Sequence, residues 1–401
     1  MSIIRNLTRQ AKKHLDKDQV TIIIGCRQSG KTTILHQLEK IIIRKNHPNY
    51  FINLEDPDYL RLLKLSPKNL FKIFPINTNY KNYIFIDEIQ YLDNPTNFLK
   101  YFYDEYKGKI KLIVSGSSAF YLDQKFKDSL VGRKKIFQLN TLSFKEFLNF
   151  KNKPELSKLD FNQLKLNQLE KIQQYYSEYI VYGGYPRVVL ADLENKKEVL
   201  EDIAYSYIKK DVFEAKIRQE EVFYRLIKIL ASQTGQLINS SELANTLNVS
   251  KTSIDNYIHL MQKSFHLKLI KPFYRNLRKE ITKMPKAYFY DLGLKNLLTN
   301  NLTTWENHSN QGSLLENACF RQLIEIYPED DIKFWRTASK QEVDFVVNNQ
   351  AYEVKTSPSN FRKTKYKSFQ NQYPQINLKI ITLDTNKTQV KGTKIIKVWQ
   401  L

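Results

Sequence analysis

Only two cysteines, Cys26 and Cys319, occur in the 401 residues, far apart and without metal-ligand spacing. No disulfide framework beyond one pair can brace the fold, and a reducing cytosol is the expected setting. No apolar run is long enough to span a bilayer. The opening stretch "MSIIRNLTRQAKKHL" lacks the unbroken apolar segment of a secretory signal. A soluble cytoplasmic protein without a membrane partner is therefore expected. Internal repeats and low-complexity tracts are absent. Acidic residues are short: 41 Asp and Glu stand against 63 Lys and Arg, a formal net charge of +22. Such a deficit favours an anionic partner, nucleic acid first and a membrane surface second. Lys, Asn and Ile are all abundant, so part of the excess belongs to a general compositional bias.

Apolar material is not short. The chain is 42% hydrophobic, and its length exceeds what one core organises, so two to four units are expected. Residues 20–150 alternate β-rich runs ("VTIIIG", "NYFINLE", "NYIFIDE", "KIKLIVSGS", "KKIFQL") with helical patterns. That alternation predicts a parallel sheet covered on both faces. Residues 155–215 read as mostly helical, broken at "YGGYPR". From about 286, short strands alternate around a helix beginning near Ser313, which predicts a second α/β unit.

"VTIIIGCRQSGKTTILHQL" reads strand, then Gly25-x-x-x-x-Gly30-Lys31-Thr32, then helix, the full P-loop pattern in its required context. The glycines let backbone N–H groups curl around phosphate oxygens at a helix N-terminus. Gln28, Ser29 and Thr33 complete the phosphate-binding segment. Lys31 is expected to reach the β- and γ-phosphates of ATP, and Thr32 to ligate Mg²⁺. "YIFIDEIQ" places Asp87 at a strand end to hold the Mg²⁺ shell and Glu88 beside it to polarise the attacking water. "LIVSGSS" ends another strand at Ser115, Ser117 and Ser118, either a γ-phosphate sensor or a plain strand-to-turn transition.

The combination of "GCRQSGKTT", "NLEDP", "FIDEIQ", "SGSS", "LVGRKKIFQLNTLSFKEF", "GGYPR", "YFYDLGL", "SLLEN" and "EVDF…YEVK" resembles a large archaeal and bacterial family of AAA-type ATPases, related to STAND ATPases. The resemblance implies an α/β fold in four parts. These are a P-loop NTPase core with a parallel sheet (1–155), a helical lid (156–218), a winged helix-turn-helix (219–285) and a restriction-endonuclease-like α/β domain (286–401). It also implies that Arg133 matches an AAA arginine finger, acting within the subunit or across a homo-oligomer interface. A surface arginine in a cluster with Lys134 and Lys135 is the plainer alternative. Pro186 in "GGYP" resembles the Gly-x-Pro element with which STAND-type lids touch the nucleotide; a helix break is its alternative.

"INSSELANTLNVSKTSIDNYIHLM" reads as helix-turn-helix. Asn239 begins an N-cap pattern with Glu242, Leu243, Ala244 and Leu247 line one face, and Ser250 caps the second helix. Ile254, Tyr257, Ile258 and Met261 are expected inward, leaving Lys251, Thr252, Ser253 and Asn256 for a major groove. A basic wing follows, with Lys271, Arg275, Arg278 and Lys279. Such modules also serve as protein contacts.

In "EVDFVVNNQAYEVKTS", an Asn348-Asn349 hairpin turn sets Phe345 opposite Tyr352, Asp344 opposite Glu353 and Glu342 opposite Lys355. Alternation then sends the four charged residues to one face and Val343, Phe345, Tyr352 and Val354 to the other. The Asp, Glu-x-Lys pattern resembles the PD-(D/E)XK nuclease core. That likeness implies a second divalent metal on Asp344 and Glu353, with Glu316 in "SLLENACF" adding a carboxylate and Lys355 orienting water. The alternative is a hairpin with a solvated charged face. Arg362, Lys363, Lys365 and Lys367 would follow a phosphate backbone or simply face solvent.

Two functions are consistent with these features. One is Mg-dependent ATP hydrolysis coupled to nucleic-acid binding, DNA in the first instance, with metal-dependent cleavage at the C-terminal site. The other is a nucleotide-gated switch whose C-terminal domain only binds nucleic acid or a protein.

Overall fold

The computed structural model describes residues 3–117, 130–274, 280, 283–383, 389–390 and 392–401. Ser118 and the wing residues Arg275, Arg278 and Lys279 lie outside them. The chain divides into two compact units, Met1–Thr141 with Lys263–Phe265, and Leu142–Gln262 with His266–Leu401.

The first unit is built on five parallel strands, β1 (Val20–Gly25), β2 (Asn49–Asn53), β3 (Asn82–Asp87), β4 (Ile110–Gly116) and β5 (Lys134–Leu139). Their order across the sheet is β2-β3-β4-β1-β5. All five β-rich runs read from the sequence are strands. Strands β3 and β4 are buried along their whole length, as a parallel sheet covered on both faces requires. One face packs Ile34, Leu35, Leu38 and Ile42 of the helix Lys31–Arg44 against Ile23, Phe85 and Ile113. The other buries Ile22, Ile84, Ile86 and Val114 under Phe98, Leu99 and Phe102, from the helix Pro95–Glu105. Because β4 lies between β1 and β3, its C-terminal end separates the phosphate loop from Asp87 and Glu88.

The second unit holds a separate strand pair and a six-stranded sheet. The pair joins β6 (Leu267–Ile270) antiparallel to β7 (Lys286–Phe289). So "KAYF", read above as the start of the C-terminal domain, pairs with the strand that follows the helix-turn-helix. The larger sheet comprises β8 (Lys333–Arg336), β9 (Glu342–Val347), β10 (Gln350–Val354), β11 (Asn377–Thr382), β12 (Gln389–Val390) and β13 (Thr393–Lys397). Its order is β12-β13-β11-β10-β9-β8. The helix Gln311–Leu323 buries Leu314, Leu315, Ala318 and Cys319 against Phe345, Val347, Tyr352 and Val354. Among the described residues no helix is long and apolar enough to cross a membrane.

The helix-turn-helix forms where its caps predict. Asn239 accepts from the backbone N–H of Ser241 and Glu242 ahead of Ser240–Leu247. Asn248 turns the chain at φ 54°, and Ser250 caps Lys251–Lys263 through the N–H of Ser253 at 3.0 Å. Ile254, Ile258 and Met261 are buried; Tyr257 is only half-buried, while Lys251, Thr252 and Asn256 are exposed.

"GGYP" does more than stop a helix. Gly183 has φ +75°, and a Cβ there would stand 2.2 Å from Asp291 Oδ1; one on Gly184 would stand 2.5 Å from the carbonyl oxygen of Leu142. The Gly184 N–H donates to Asp291 Oδ2 at 2.9 Å. Gly184→Ala is expected to destabilise the second unit by about 1–3 kcal/mol, since backbone must shift to admit a methyl group. A lowered urea midpoint at unchanged m-value checks this; an unchanged midpoint contradicts it.

Candidate functional site

The phosphate loop is shaped by backbone crowding. A Cβ on Gly25 would lie 2.0 Å from the carbonyl oxygen of Leu139 on the neighbouring strand β5, so only glycine fits. Gln28 and Gly30 both take positive φ, 59° and 98°, turning the chain before the helix Lys31–Arg44. Ser29 closes the turn from its hydroxyl to the carbonyl of Cys26 at 2.8 Å. Gly30 occupies the N-cap with no side chain capping the first turn. The positive end of a fourteen-residue helix thus faces the loop, as an anion site requires.

Lys31 is buried and donates to the carbonyls of Gly25 at 3.1 Å and Cys26 at 2.9 Å. Burial lowers its pKa, and Glu88 opposes that shift. A cation lodged on its own loop's carbonyls is poised to exchange them for phosphate oxygens. Thr32 donates to Asp87 Oδ2 at 2.6 Å, so the two expected Mg²⁺ ligands meet across the sheet. Thr33 lies exposed on the following turn.

Ser115 and Ser117, at the end of β4, bind both carboxylates. Ser115 donates to Asp87 Oδ1 and accepts from the Glu88 N–H at 3.2 Å. Ser117 donates to Glu88 Oε1 at 2.6 Å, and the Gln90 amide donates to Glu88 Oε2. Glu88 itself adopts φ 56°, ψ 48°, a conformation that non-glycine residues hold only where surroundings enforce it. Burial pushes the Glu88 carboxyl up, but Lys31, Ser117, Gln90 and Arg27 together outweigh it and the pKa is lowered. Glu88 is therefore ionised at neutral pH. Gln90 and Arg27 lie inside the quoted motifs "FIDEIQ" and "GCRQSGKTT", but no sequence signal assigned either of them to Glu88. Nor did any signal mark Arg5, whose guanidinium donates to the Ser29 carbonyl at 2.9 Å and the Asn140 carbonyl at 2.9 Å, bracing the loop from behind.

Arg133 stands apart. Lys134 pairs with Val20 at the start of β1, whereas the loop begins where Gly25 pairs with Leu139. Six residues of strand, roughly 20 Å, separate Arg133 from its own phosphate loop. Its guanidinium pairs with Asp104 at 2.7 Å. That register places Arg133 at the end of β5 opposite the loop of its own chain. Pro186 opens the short helix Pro186–Leu190 in the second unit.

Comparison with known proteins agrees with this geometry. Residues 17–148 match a family described as an AAA domain. That supports an AAA-type P-loop ATPase. Residues 173–304 and 311–401 match two domains of unknown function, DUF8612 and DUF4143. The uncharacterized protein MJ1544 of Methanocaldococcus jannaschii is 29% identical, over 94% of this chain and 85% of that one. An uncharacterized protein of Haemophilus influenzae is 26% identical, over 85% and 82%. Among solved structures, a point variant of Thermotoga maritima RuvB overlaps with TM-score 0.32 at 14% identity, over 65% of this chain and 85% of that one. AMPPCP-bound DnaA from Aquifex aeolicus overlaps with TM-score 0.31 at 15%, over 65% and 89%. Overlap at that level is partial, and the AAA-type assignment rests on the domain match and the loop.

Outside the AAA-type unit, the C-terminal carboxylates are arranged differently from the sequence reading. Phe345 does pair with Tyr352 and Val347 with Gln350. A bulge against β8, however, sets Trp335 opposite Val343 and Lys333 opposite Val346. The extra residue reverses alternation, so Val343 packs with Val346 and Ala351 rather than with Phe345. Glu342 does not face Lys355: its partners are Lys286 at 2.6 Å and Arg336. Lys355 instead pairs with Glu353, and Asp344 accepts from the Val354 N–H at 2.8 Å.

Glu316 is drawn toward β7. Lys286, 1% exposed, donates to Glu316 Oε1 at 3.2 Å, and the Tyr288 hydroxyl donates to the same oxygen at 2.5 Å. Burial raises the pKa of Glu316, Asp344 and Glu353, with Lys286 opposing at the first two and Lys355 at the third. Among the described residues, no three acidic, His or Cys side chains form a group able to hold a metal ion. Asp344 lies within electrostatic reach of both Glu316 and Glu353, and all three act on Lys355, while Lys286 and Tyr288 hold Glu316. Lys286 and Tyr288 were legible in principle, being two residues apart on one face of β7, but nothing marked what that face would meet.

Proposed function

We propose that the AAA-type unit binds Mg-ATP and hydrolyses it, with Glu88 as the base, and that the cycle serves a second unit that binds nucleic acid, DNA in the first instance. One observation carries the reading: Asp87 is tied to Thr32 of the phosphate loop while the adjacent, ionised Glu88 is aimed by Ser117 and Gln90. Lys31 and the loop N–H groups bind the phosphates, Gln28, Ser29 and Gly30 shaping the cradle. Thr32 and Asp87 would hold a Mg²⁺ ion, which would neutralise charge on the transferred phosphoryl group. Glu88 accepts a proton from the attacking water. Arg133, remote from its own loop, serves the chemistry only in a neighbouring copy. Pro186 as a lid contact belongs to the same proposal.

Nucleic-acid binding is supported by charge and exposure. Lys251, Thr252 and Asn256 line an open face of the second helix of the helix-turn-helix, and Lys271, Arg362, Lys363, Lys365 and Lys367 are exposed. For the C-terminal carboxylates, the engagement of Glu316 by Lys286 and Tyr288 favours the second reading, a domain that binds without cleaving. No cleavage step is assigned to Lys355.

Lys31→Ala is expected to weaken ATP binding at least about tenfold, through loss of a buried cation facing the phosphates. Equilibrium dialysis with labelled ATP measures it. Affinity equal to the parent would overturn the site assignment.

A further inference from the structure

The second unit contains a cavity of about 510 Å³ between the segment preceding β7 and the end of β8. Its size lies within the range of about 300–1,000 Å³ that small-molecule sites occupy. Among the described residues that line it, three are cations, Lys283, Arg336 and Lys340, and none is acidic. Much of the remaining wall is apolar, including Tyr274, Met284 and Trp335. Two of these walls are fixed. The Tyr274 hydroxyl donates to the Arg336 carbonyl at 3.1 Å in the cavity wall, and Trp335 packs edge-on against Phe369 with ring centroids 5.1 Å apart.

The cations differ in what holds them. Arg336 is paired with Glu342, which also accepts from the buried Lys286. Its position is thereby tied, through Glu342 and Lys286, to Glu316. Lys283 and Lys340 are exposed at the rim, and neither forms an ion pair with another described residue. A flat apolar body entering this space meets aromatic and thioether walls. A dianionic group on it meets two rim lysines without a carboxylate partner among the described residues and an Arg336 that shares its charge with Glu342.

We propose that this cavity binds a nucleoside monophosphate group, base and sugar against Tyr274, Met284 and Trp335, phosphate toward Lys283, Arg336 and Lys340. The group comes either from a free mononucleotide or from the phosphorylated end of a single strand. Aromatic stacking with a basic rim is the chemistry that recognises both. The site is separate from the phosphate loop, and only the strand source rests on the nucleic-acid reading above.

The test uses the full chain with its phosphate loop occupied by excess Mg²⁺ and a non-hydrolysable ATP analogue, whose binding is followed separately. That control makes failure of the ATP reading visible by itself. Calorimetry then measures binding of thymidine 5′-monophosphate, of a 5′-phosphorylated thymidine oligonucleotide, and of the same oligonucleotide without the phosphate. Binding of the monophosphate assigns a free nucleotide; binding of the phosphorylated strand alone assigns a strand end. In either case the Lys283→Ala/Lys340→Ala variant is expected to bind at least about tenfold more weakly, and Ala338→Trp, at the mouth, to bind no probe. Thermal midpoints of both variants establish that they fold. The proposal is overturned if no phosphorylated probe binds the parent, if the unphosphorylated strand binds equally well, or if the folded variants bind as the parent does.

Discussion

Replacing Glu88 by Gln is expected to lower ATP turnover by about 10²- to 10⁴-fold, the range a positioned general base contributes, and to leave ATP affinity within a few-fold of the parent. The amide is close in size to the carboxylate and still reaches Ser117, so the loop and Lys31 keep their positions. What disappears is the acceptor for the water proton. Lys31 also loses a neighbouring negative charge, the largest factor sustaining its protonated form against burial, and this accounts for a modest change in affinity. Steady-state phosphate release and equilibrium dialysis separate the two effects. Equal losses in affinity and turnover would mean that Glu88 holds the loop rather than acting on water.

Lys286 gives the second large effect. It is buried and joins Glu316 to Glu342, and burial alone would lower its pKa, yet those carboxylates and Asp344 raise it. Removing one member of such a group leaves uncompensated charge, with a cost of about 3–5 kcal/mol. Lys286→Met, which keeps most of the stem, is expected to lower the unfolding free energy by that amount in urea titration. Adding Glu316→Gln and Glu342→Gln should restore part of it, because the charges left behind are then removed. If Lys286→Met matches the parent, or if the added substitutions only deepen the loss, the ion network is not what holds β7 to this sheet.

The two halves of the chain differed in how much their sequence disclosed. The phosphate loop and Asp87 were legible because local rules act there: a glycine-bearing turn between strand and helix, and an acidic strand end. The helix-turn-helix was legible through Asn239 and Ser250 for the same reason, since capping acts within one turn. Arg133 was recognisable as a motif position, but its distance from the loop depends on the parallel register of β1 with β5, which no local pattern fixes. The hairpin register was correct at Phe345 and Tyr352, where the Asn348 turn determines it. It failed at Val343 because the bulge is set by β8, a strand outside the hairpin. Lys286 and Tyr288 reach the carboxylates from a strand about thirty residues or more away along the chain, and Arg336 from the preceding strand, and only the tertiary fold brings them together.

The most direct test of the central claim is phosphate release from γ-labelled ATP by the purified 401-residue chain, with Mg²⁺ or with EDTA, beside Glu88→Gln. The account predicts release that requires the divalent cation and is lost in the variant while ATP remains bound. Bound ATP that is never hydrolysed by the parent, or hydrolysis that continues unchanged in Glu88→Gln, would contradict it.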